Sequence, residues 1–316
     1  IYGQKFQIPA KYYPVEISKV VKIIRDNPGR YAVIGLPCFI KAIRLLTRED
    51  IVLNERIKFC IGLICGHLKS ANFANMWAWQ NGIHPDHVKG IDFRTKLKEY
   101  SANQYGVTIK GEIDGIVTTK VSPPLGLLYG SDWGWGLFKY EACDYCDDVV
   151  AETADVTIGD AWLQQYLNDS NGTNVVIVRN IKIQELINKA QLENRLALDT
   201  ISPEEVVKSQ NSGFNHRREG LAYRLHLADQ ANKWRPIKRV QASDSSIPQL
   251  VKSRQKLRME LSKNSHLAFQ KALQANDFFV FERELMAIVN AYKLLYKVSV
   301  LRRIYNRIKK TYNLIY

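Results

Sequence analysis

Four of the five cysteines are spaced so that their thiolates can gather at one site. Cys143-Asp-Tyr-Cys146 is a Cys-x-x-Cys pair, a spacing that lets one turn aim two thiolates at one metal centre. Cys38 and Cys65 each follow a short apolar run, which predicts a place at the carboxyl end of a strand, where open α/β sheets present ligands. Together the four would complete a four-thiolate shell. Cys60 lies inside the second of those runs, with parity opposite to Cys65, and is expected to be a buried small hydrophobe. Spacing alone accepts either a structural zinc ion or an iron-sulfur cluster. A redox dithiol at Cys143 and Cys146 is the weaker reading, because no thioredoxin-like βαβ pattern surrounds them. Five cysteines in 316 residues are too few for a disulfide scaffold, and they point to a reducing, cytoplasmic setting.

The elements needed to hold these cysteines are visible around them. Apolar spacing at Ile17, Val20, Val21 and Ile24 predicts a helix, followed by the turn Asn27-Pro28-Gly29 and the strand Tyr31-Ala32-Val33-Ile34. A second helix is expected through Ile40, Ile43 and Leu45. Ile57 to Ile64 is expected to be a strand ending at Cys65, and Ser70 to cap a helix from Ala71 to about Gln80, stopped by Gly82. Residues 88 to 123 predict β structure, with Val107-Thr108-Ile109 and Ile116-Val117-Thr118 flanking an Asp114-Gly115 turn. A Gly- and Trp-rich loop from Gly126 to Gly136 leads to Cys143. Short strands are expected at 154–160 and 174–178. Helices then dominate: Lys182 to Arg195, a stretch opened by the capping box at Ser202, and most of 249–316.

These motifs, in order, carry a resemblance. Gly35-Leu36-Pro37-Cys38, Gly62-Leu63-Ile64-Cys65-Gly66-His67, Ile91-Asp92-Phe93-Arg94-Thr95-Lys96, Cys143-Asp-Tyr-Cys146 and Ala154-Asp155-Val156-Thr157-Ile158-Gly159-Asp160-Ala161-Trp162 resemble the C-terminal region of the coenzyme F-420 hydrogenase/dehydrogenase beta-subunit family, over roughly residues 1–225. The resemblance implies a flavoprotein oxidoreductase or electron-transfer subunit, with one 4Fe-4S cluster on Cys38, Cys65, Cys143 and Cys146. It favours iron-sulfur over zinc. It also implies FAD or FMN and a redox partner protein or small-molecule electron donor. Relatives include electron-input subunits for the deazaflavin coenzyme, plant chlorophyll-modifying reductases and members of bacterial surface-polysaccharide gene sets. Three features depart from the pattern, one of them the absence of the Gly-Trp that commonly follows the Phe-Arg-Asp-Lys stretch. The ferredoxin-like run of four cysteines carried by many relatives is absent from this sequence, and Thr95 replaces the usual Asp of the Phe-Arg-Asp-Lys stretch.

A flavin needs amides and positive charge for its phosphate and a wall that excludes water. The candidates are Lys69 and Ser70, Arg94 and Lys96, and the Asn171-Gly172-Thr173 turn, with Asp160 placed to orient a cofactor ring. Helix capping, solvated charge and plain turns are the bland readings of the same residues. His67 follows a cluster ligand and can tune it by hydrogen bonding. Asn215-His216-Arg217-Arg218 suggests a solvated helical charge patch more than a reach back to phosphate.

The net charge of +14 is concentrated in residues 251–316, which hold 14 Lys and Arg against 4 Asp and Glu. Leu285, Ile288, Tyr292, Leu295, Leu301, Ile304, Ile308 and Ile315 recur among basic residues as an amphipathic helix. An anionic membrane surface, an acidic partner or the protein's own core would each suit it. No nucleic-acid recognition motif accompanies the charge. The start, Ile-Tyr-Gly-Gln-Lys, is neither a signal peptide nor an initiator methionine, and suggests a soluble protein and a fragment. The expectation is an α/β (α+β) protein with a mixed sheet core and flanking helices. Residues 1–240 would form the flavin and iron-sulfur domain, and 241–316 a basic helical C-terminal extension. The rival from another class is a zinc-stapled, non-enzymatic scaffold docking through its basic tail.

Overall fold

The computed structural model describes residues 16–312, with side-chain surroundings through residue 297. The chain opens as α1 (Ile17–Asp26), β1 (Tyr31–Gly35), α2 (Pro37–Glu49), α3 (Ile51–Arg56) and β2 (Ile57–Leu63). This is a crossover unit in which β1 and β2 pair in parallel, with Val33 opposite Cys60 and Gly35 opposite Gly62. Pro37 starts α2, a position that needs no amide donor. Asp50 starts α3 by accepting the Leu53 amide at 3.0 Å. Val21, Ile24, Val33, Ile40, Ile43, Leu53, Ile57 and Cys60 close a small core around these elements. Cys60 is fully buried there.

The same sheet continues with β6 (Val156–Asp160), parallel to β2, and ends with β7 (Asn174–Val178), antiparallel to β6. Its order is β1-β2-β6-β7. The chain thus makes a mixed sheet, as its alternation predicts, but not all the strands join it. β3 (Val88–Thr95), β4 (Gly106–Ile113) and β5 (Ile116–Val121) form a separate antiparallel sheet. Asp114 and Gly115 both have positive φ, 51° and 77°, the backbone of a two-residue hairpin turn that Asp-Gly favours.

The second sheet stays apart because its apolar face has another partner. Ile91, Phe93, Val107 and Ile109 pack with Phe73, Met76 and Trp77 of α4 (Asn72–Gln80) and with a long helical hairpin, α9 (Gln249–Ala275) and α10 (Phe278–Tyr312). Asn276, at φ 49°, turns one helix into the other. Phe281, Leu285, Val289 and Tyr292 of α10 are buried in this core, so the first half of the basic amphipathic helix rests on the protein itself. The side chains of Leu301, Ile304, Ile308 and Ile315, which the amphipathic reading also uses, lie outside those described. Between the sheet and the hairpin run α5 (Ile181–Leu192), α6 (Pro203–Ser209), α7 (Asn211–Arg217) and α8 (Glu219–Gln230). The Ser202 and Glu205 capping box forms at α6. The Ser70 cap does not. α4 begins at Asn72 without a side-chain cap, and the Ser70 hydroxyl is buried without a hydrogen-bond partner.

Candidate functional site

Three separate segments deliver the four cysteines to one region. Cys38 lies in the first turn of α2, one residue past Pro37, so the strand-end loop predicted for it is shorter than expected. Cys65 follows β2, and its amide donates to Val149 O at 3.1 Å. Cys143 and Cys146 flank the end of a single 3-10 turn, where the Cys146 amide donates to Cys143 O at 3.3 Å. Cys38 is exposed and the other three are half-buried. Burial raises the Cys38 thiol first, and the charges of Cys146 and Cys143 raise it further. Burial pushes the Cys65 thiol up to about 12, with Arg217 opposing and the other three cysteines reinforcing the shift. The four sulfurs therefore sit within electrostatic reach of one another. Among the described residues no three His, Cys, Asp or Glu side chains converge so as to hold a metal ion.

Of the two polar contacts at these sulfurs, one suits a metal-thiolate and the other belongs to a protonated thiol. The Leu68 amide donates to Cys143 Sγ at 3.3 Å, and Cys146 Sγ lies 3.3 Å from Asp148 O, to which a thiol can donate. Amide donors to ligand sulfur are among the features that tune iron-sulfur centres. The chain around Cys65 is tightly enclosed: a Cβ on Gly66 would collide with the indole of Trp133.

Behind the cysteines is a set of buried charges that the sequence reading missed. Arg217, assigned to a solvated patch, is 3% exposed. Its guanidinium donates to Cys65 O at 2.6 Å and to Gly66 O, across 152 residues of chain in the first case. A charged run on a short helix carries no sign of so distant a partner. Lys139 and Arg224 are buried against Asp144, in the turn that carries Cys143 and Cys146. His67 is buried, stacked on Trp133 with centroids 4.8 Å apart.

His216 is buried too, and Arg224 Nη1 lies 3.2 Å from its Nδ1. A guanidinium can only donate, so Nδ1 accepts and Nε2 carries the proton. Burial, then the Arg224 charge, hold the imidazole well below its usual range, so it is neutral at pH 7. The unfolded chain binds this proton below about pH 6.5 and the fold does not. Stability is therefore expected to fall as pH drops below about 6.5, by about 1.4 kcal/mol per unit from this residue. Urea titrations from pH 7.5 to 5 should show that slope flattened in His216→Gln, and an unchanged slope would contradict a neutral buried imidazole.

The eight residues proposed for flavin divide. Arg94, Lys96, Asp160, Gly172 and Thr173 line one pocket with Trp162 and Tyr166. Lys69, Ser70 and Asn171 do not. Arg94 pairs with Asp160 at 2.5 Å and lies over Tyr105, 4.4 Å from the ring centroid. Burial, then Arg94, lower Lys96 from its usual range. Lys69 is turned inward: its Nζ donates to Leu137 O at 2.7 Å and faces the rings of Phe73 and Trp133 at 4.0 and 4.5 Å. The free volume of the pocket is about 10 Å³, room for roughly one water molecule. A flavin ring does not fit it in this conformation, and no chemical step is derived through one.

A mixed sheet with Cys38 and Cys65 shortly after β1 and β2, beside a turn carrying Cys143 and Cys146, defines an α/β protein with four candidate metal-binding thiols. Residues 29–204 match the family described as the C terminus of the coenzyme F420 hydrogenase/dehydrogenase beta subunit, and the chain belongs to that family. None of the curated proteins compared with it matches. Among solved structures, a chain of the xenon-derivatised F420-reducing NiFe hydrogenase complex from Methanosarcina barkeri is similar, at 17% identity and a TM-score of 0.45, covering 69% of this chain and 68% of that one.

Proposed function

We propose that the chain is an electron-transfer subunit whose 4Fe-4S cluster is held by Cys38, Cys65, Cys143 and Cys146. The observation that carries this is the gathering of four thiols from three segments into mutual electrostatic reach, beside an amide donor to Cys143 Sγ. A single tetrahedral zinc would draw its sulfurs to about 3.8 Å from one another, given a metal–sulfur distance of about 2.3 Å. A donor set of four thiols without histidine or carboxylate accepts either zinc or an iron-sulfur cluster, and metal analysis separates the two. A cluster there would supply one-electron transfer. The protein's own part is to position the thiolates and exclude water: Arg217 ties down the Cys65 loop, Asp144 anchors the Cys143 turn, and Trp133 closes over Gly66. Cys38, the exposed thiol, marks the edge at which a redox partner protein approaches.

FAD or FMN, which the family resemblance implies, is given no site here, because the pocket bearing Arg94, Lys96, Asp160 and Thr173 is too small for its ring. Among the described residues no helix is long and apolar enough to cross a membrane, and the cysteine usage suits a cytoplasmic protein. The test is iron, sulfide, zinc and flavin analysis of protein purified without oxygen. About four irons per chain, with broad absorption near roughly 400 nm bleached by dithionite, supports the reading. A colourless protein carrying one zinc sinks it and favours the scaffold alternative.

A further inference from the structure

The cations behind the cysteines outnumber the carboxylates available to them. Lys69, Lys139, Arg217 and Arg224 are 1 to 3% exposed, and Arg258 of α9 is half-buried beside them. The buried carboxylate among them is Asp144, shared by Lys139 and Arg224. Asp147 and Asp148 are buried nearby but occupied: Asp147 faces Lys41, Lys238 and Arg239, and Asp148 accepts the amides of Val150 and Glu152. Among the described residues Lys69, Arg217 and Arg258 have no ion pair at all. Three buried N–H donors also find no acceptor: Nε of Arg217, Nε of Arg258 and Nε2 of His216. A buried excess of positive charge costs several kcal/mol per ion unless an anion faces it. Three of these charges lie against the segments that carry the cysteines: Arg217 donates to Cys65 O, and Lys139 and Arg224 pair with Asp144 in the turn between Cys143 and Cys146. Burial raises the thiols of Cys65 and Cys143, and Arg217, with Lys139 at Cys143, opposes that shift.

We propose that Arg217, Lys139, Arg224, Lys69 and Arg258 form a fixed positive shell that raises the reduction potential of the cluster held by the four cysteines. The inference rests on the cluster reading above. A 4Fe-4S cluster with four thiolates is a dianion when oxidised, and one added electron makes it a trianion. Positive charge held at fixed distance in a poorly solvated site stabilises the more negative state more. No proton need move. Arg217 contributes most, because it alone touches the chain at a cysteine ligand, Cys65, and a guanidinium keeps its charge at any physiological pH. Arg258, on a different helix, adds its charge beside Lys69, Lys139 and Arg224 without touching a cysteine loop, so its contribution is smaller.

The measurement is a redox titration of the anaerobically purified full chain, poised with dithionite and mediators and read by electron paramagnetic resonance. Arg217→Gln should favour the oxidised cluster by at least tenfold at a given potential, a drop of 59 mV or more for one electron. Arg217→Lys keeps the charge and should restore most of the shift. Arg258→Gln should lower the potential less, while leaving the thermal midpoint unchanged or raised, since it relieves repulsion among like charges. A role confined to holding the Cys65 loop predicts equal shifts in Arg217→Gln and Arg217→Lys and none in Arg258→Gln, and that pattern overturns the proposal. If Arg217→Gln fails to hold iron, Arg258→Gln decides alone. Absence of a cluster from the unaltered protein is a different failure: it overturns the functional reading itself, whereas clusters with unmoved potentials in both Gln variants overturn only the shell.

Discussion

Cys143→Ser should strip iron from about four atoms per chain to below about one, whereas Cys60→Ser should leave the iron content unchanged and cost stability instead. The two cysteines differ in surroundings more than in chemistry. Cys143 shares a turn with Cys146, receives the Leu68 amide on its sulfur and lies within reach of the other candidate ligands. Cys60 faces Val33 across the parallel ladder and is enclosed by Ile43, Leu53, Ile57 and Ala154. A hydroxyl there has no apolar equivalent of a thiol's packing, and its burial without a good partner costs about 1–3 kcal/mol. The readouts are iron and sulfide per chain and urea midpoints for both variants. Iron retained in Cys143→Ser, or lost in Cys60→Ser with the fold intact, would overturn the ligand assignment.

That contrast was legible in the sequence because it depends on local pattern. An apolar run with a cysteine inside it and another just past its end predicts one buried thiol and one beyond the strand, and Cys60 is buried in β2 while Cys65 follows it, half-buried. Other features were hidden for physical reasons. Period-two alternation shows that Ile91, Phe93, Val107 and Ile109 are inward-facing, but not which surface they face. The partners are α4, just before the sheet in the chain, and a helical hairpin that begins only at Gln249, and together they give the second sheet its own core. The spacing of Leu285 and Tyr292 likewise showed an apolar stripe without saying whether protein or membrane covers it. For the described part, protein does. Arg217 was the least legible, since burial of a charge depends on long-range partners and a His-Arg-Arg run resembles a solvated surface. Arg94, Lys96 and Asp160 come together in one small pocket, as their positions at strand ends allow, while Lys69 is drawn inward by the aromatic rings of Phe73 and Trp133.

The second large effect is expected at Asp144, whose carboxylate stands between Lys139 and Arg224 and whose carbonyl accepts Arg224 Nε at 2.9 Å. Asp144→Asn keeps the shape of the side chain and removes the charge. Lys139 and Arg224 then face each other inside the protein without the carboxylate that balances them, and Arg224 already repels Lys139. Breaking one side of a buried ion pair costs about 3–5 kcal/mol, well beyond the value of the pair against water. Burial already lowers Lys139, with Asp144 the largest opposing influence, so its loss must lower the lysine further. The unfolded lysine titrates near 10.5. Between the lowered folded value and 10.5 the unfolded chain binds more protons, so stability rises with pH across that window. The deficit of Asp144→Asn relative to the unaltered protein should therefore narrow as pH rises from 7 toward 10. Replacing Lys139 by Met in the same chain should recover part of the loss, giving a non-additive double-mutant cycle in urea. Because Asp144 lies within the turn between Cys143 and Cys146, the single variant should also release iron at a lower temperature. Retention of full stability and an additive cycle would mean that the ion pairs contribute little to holding the turn.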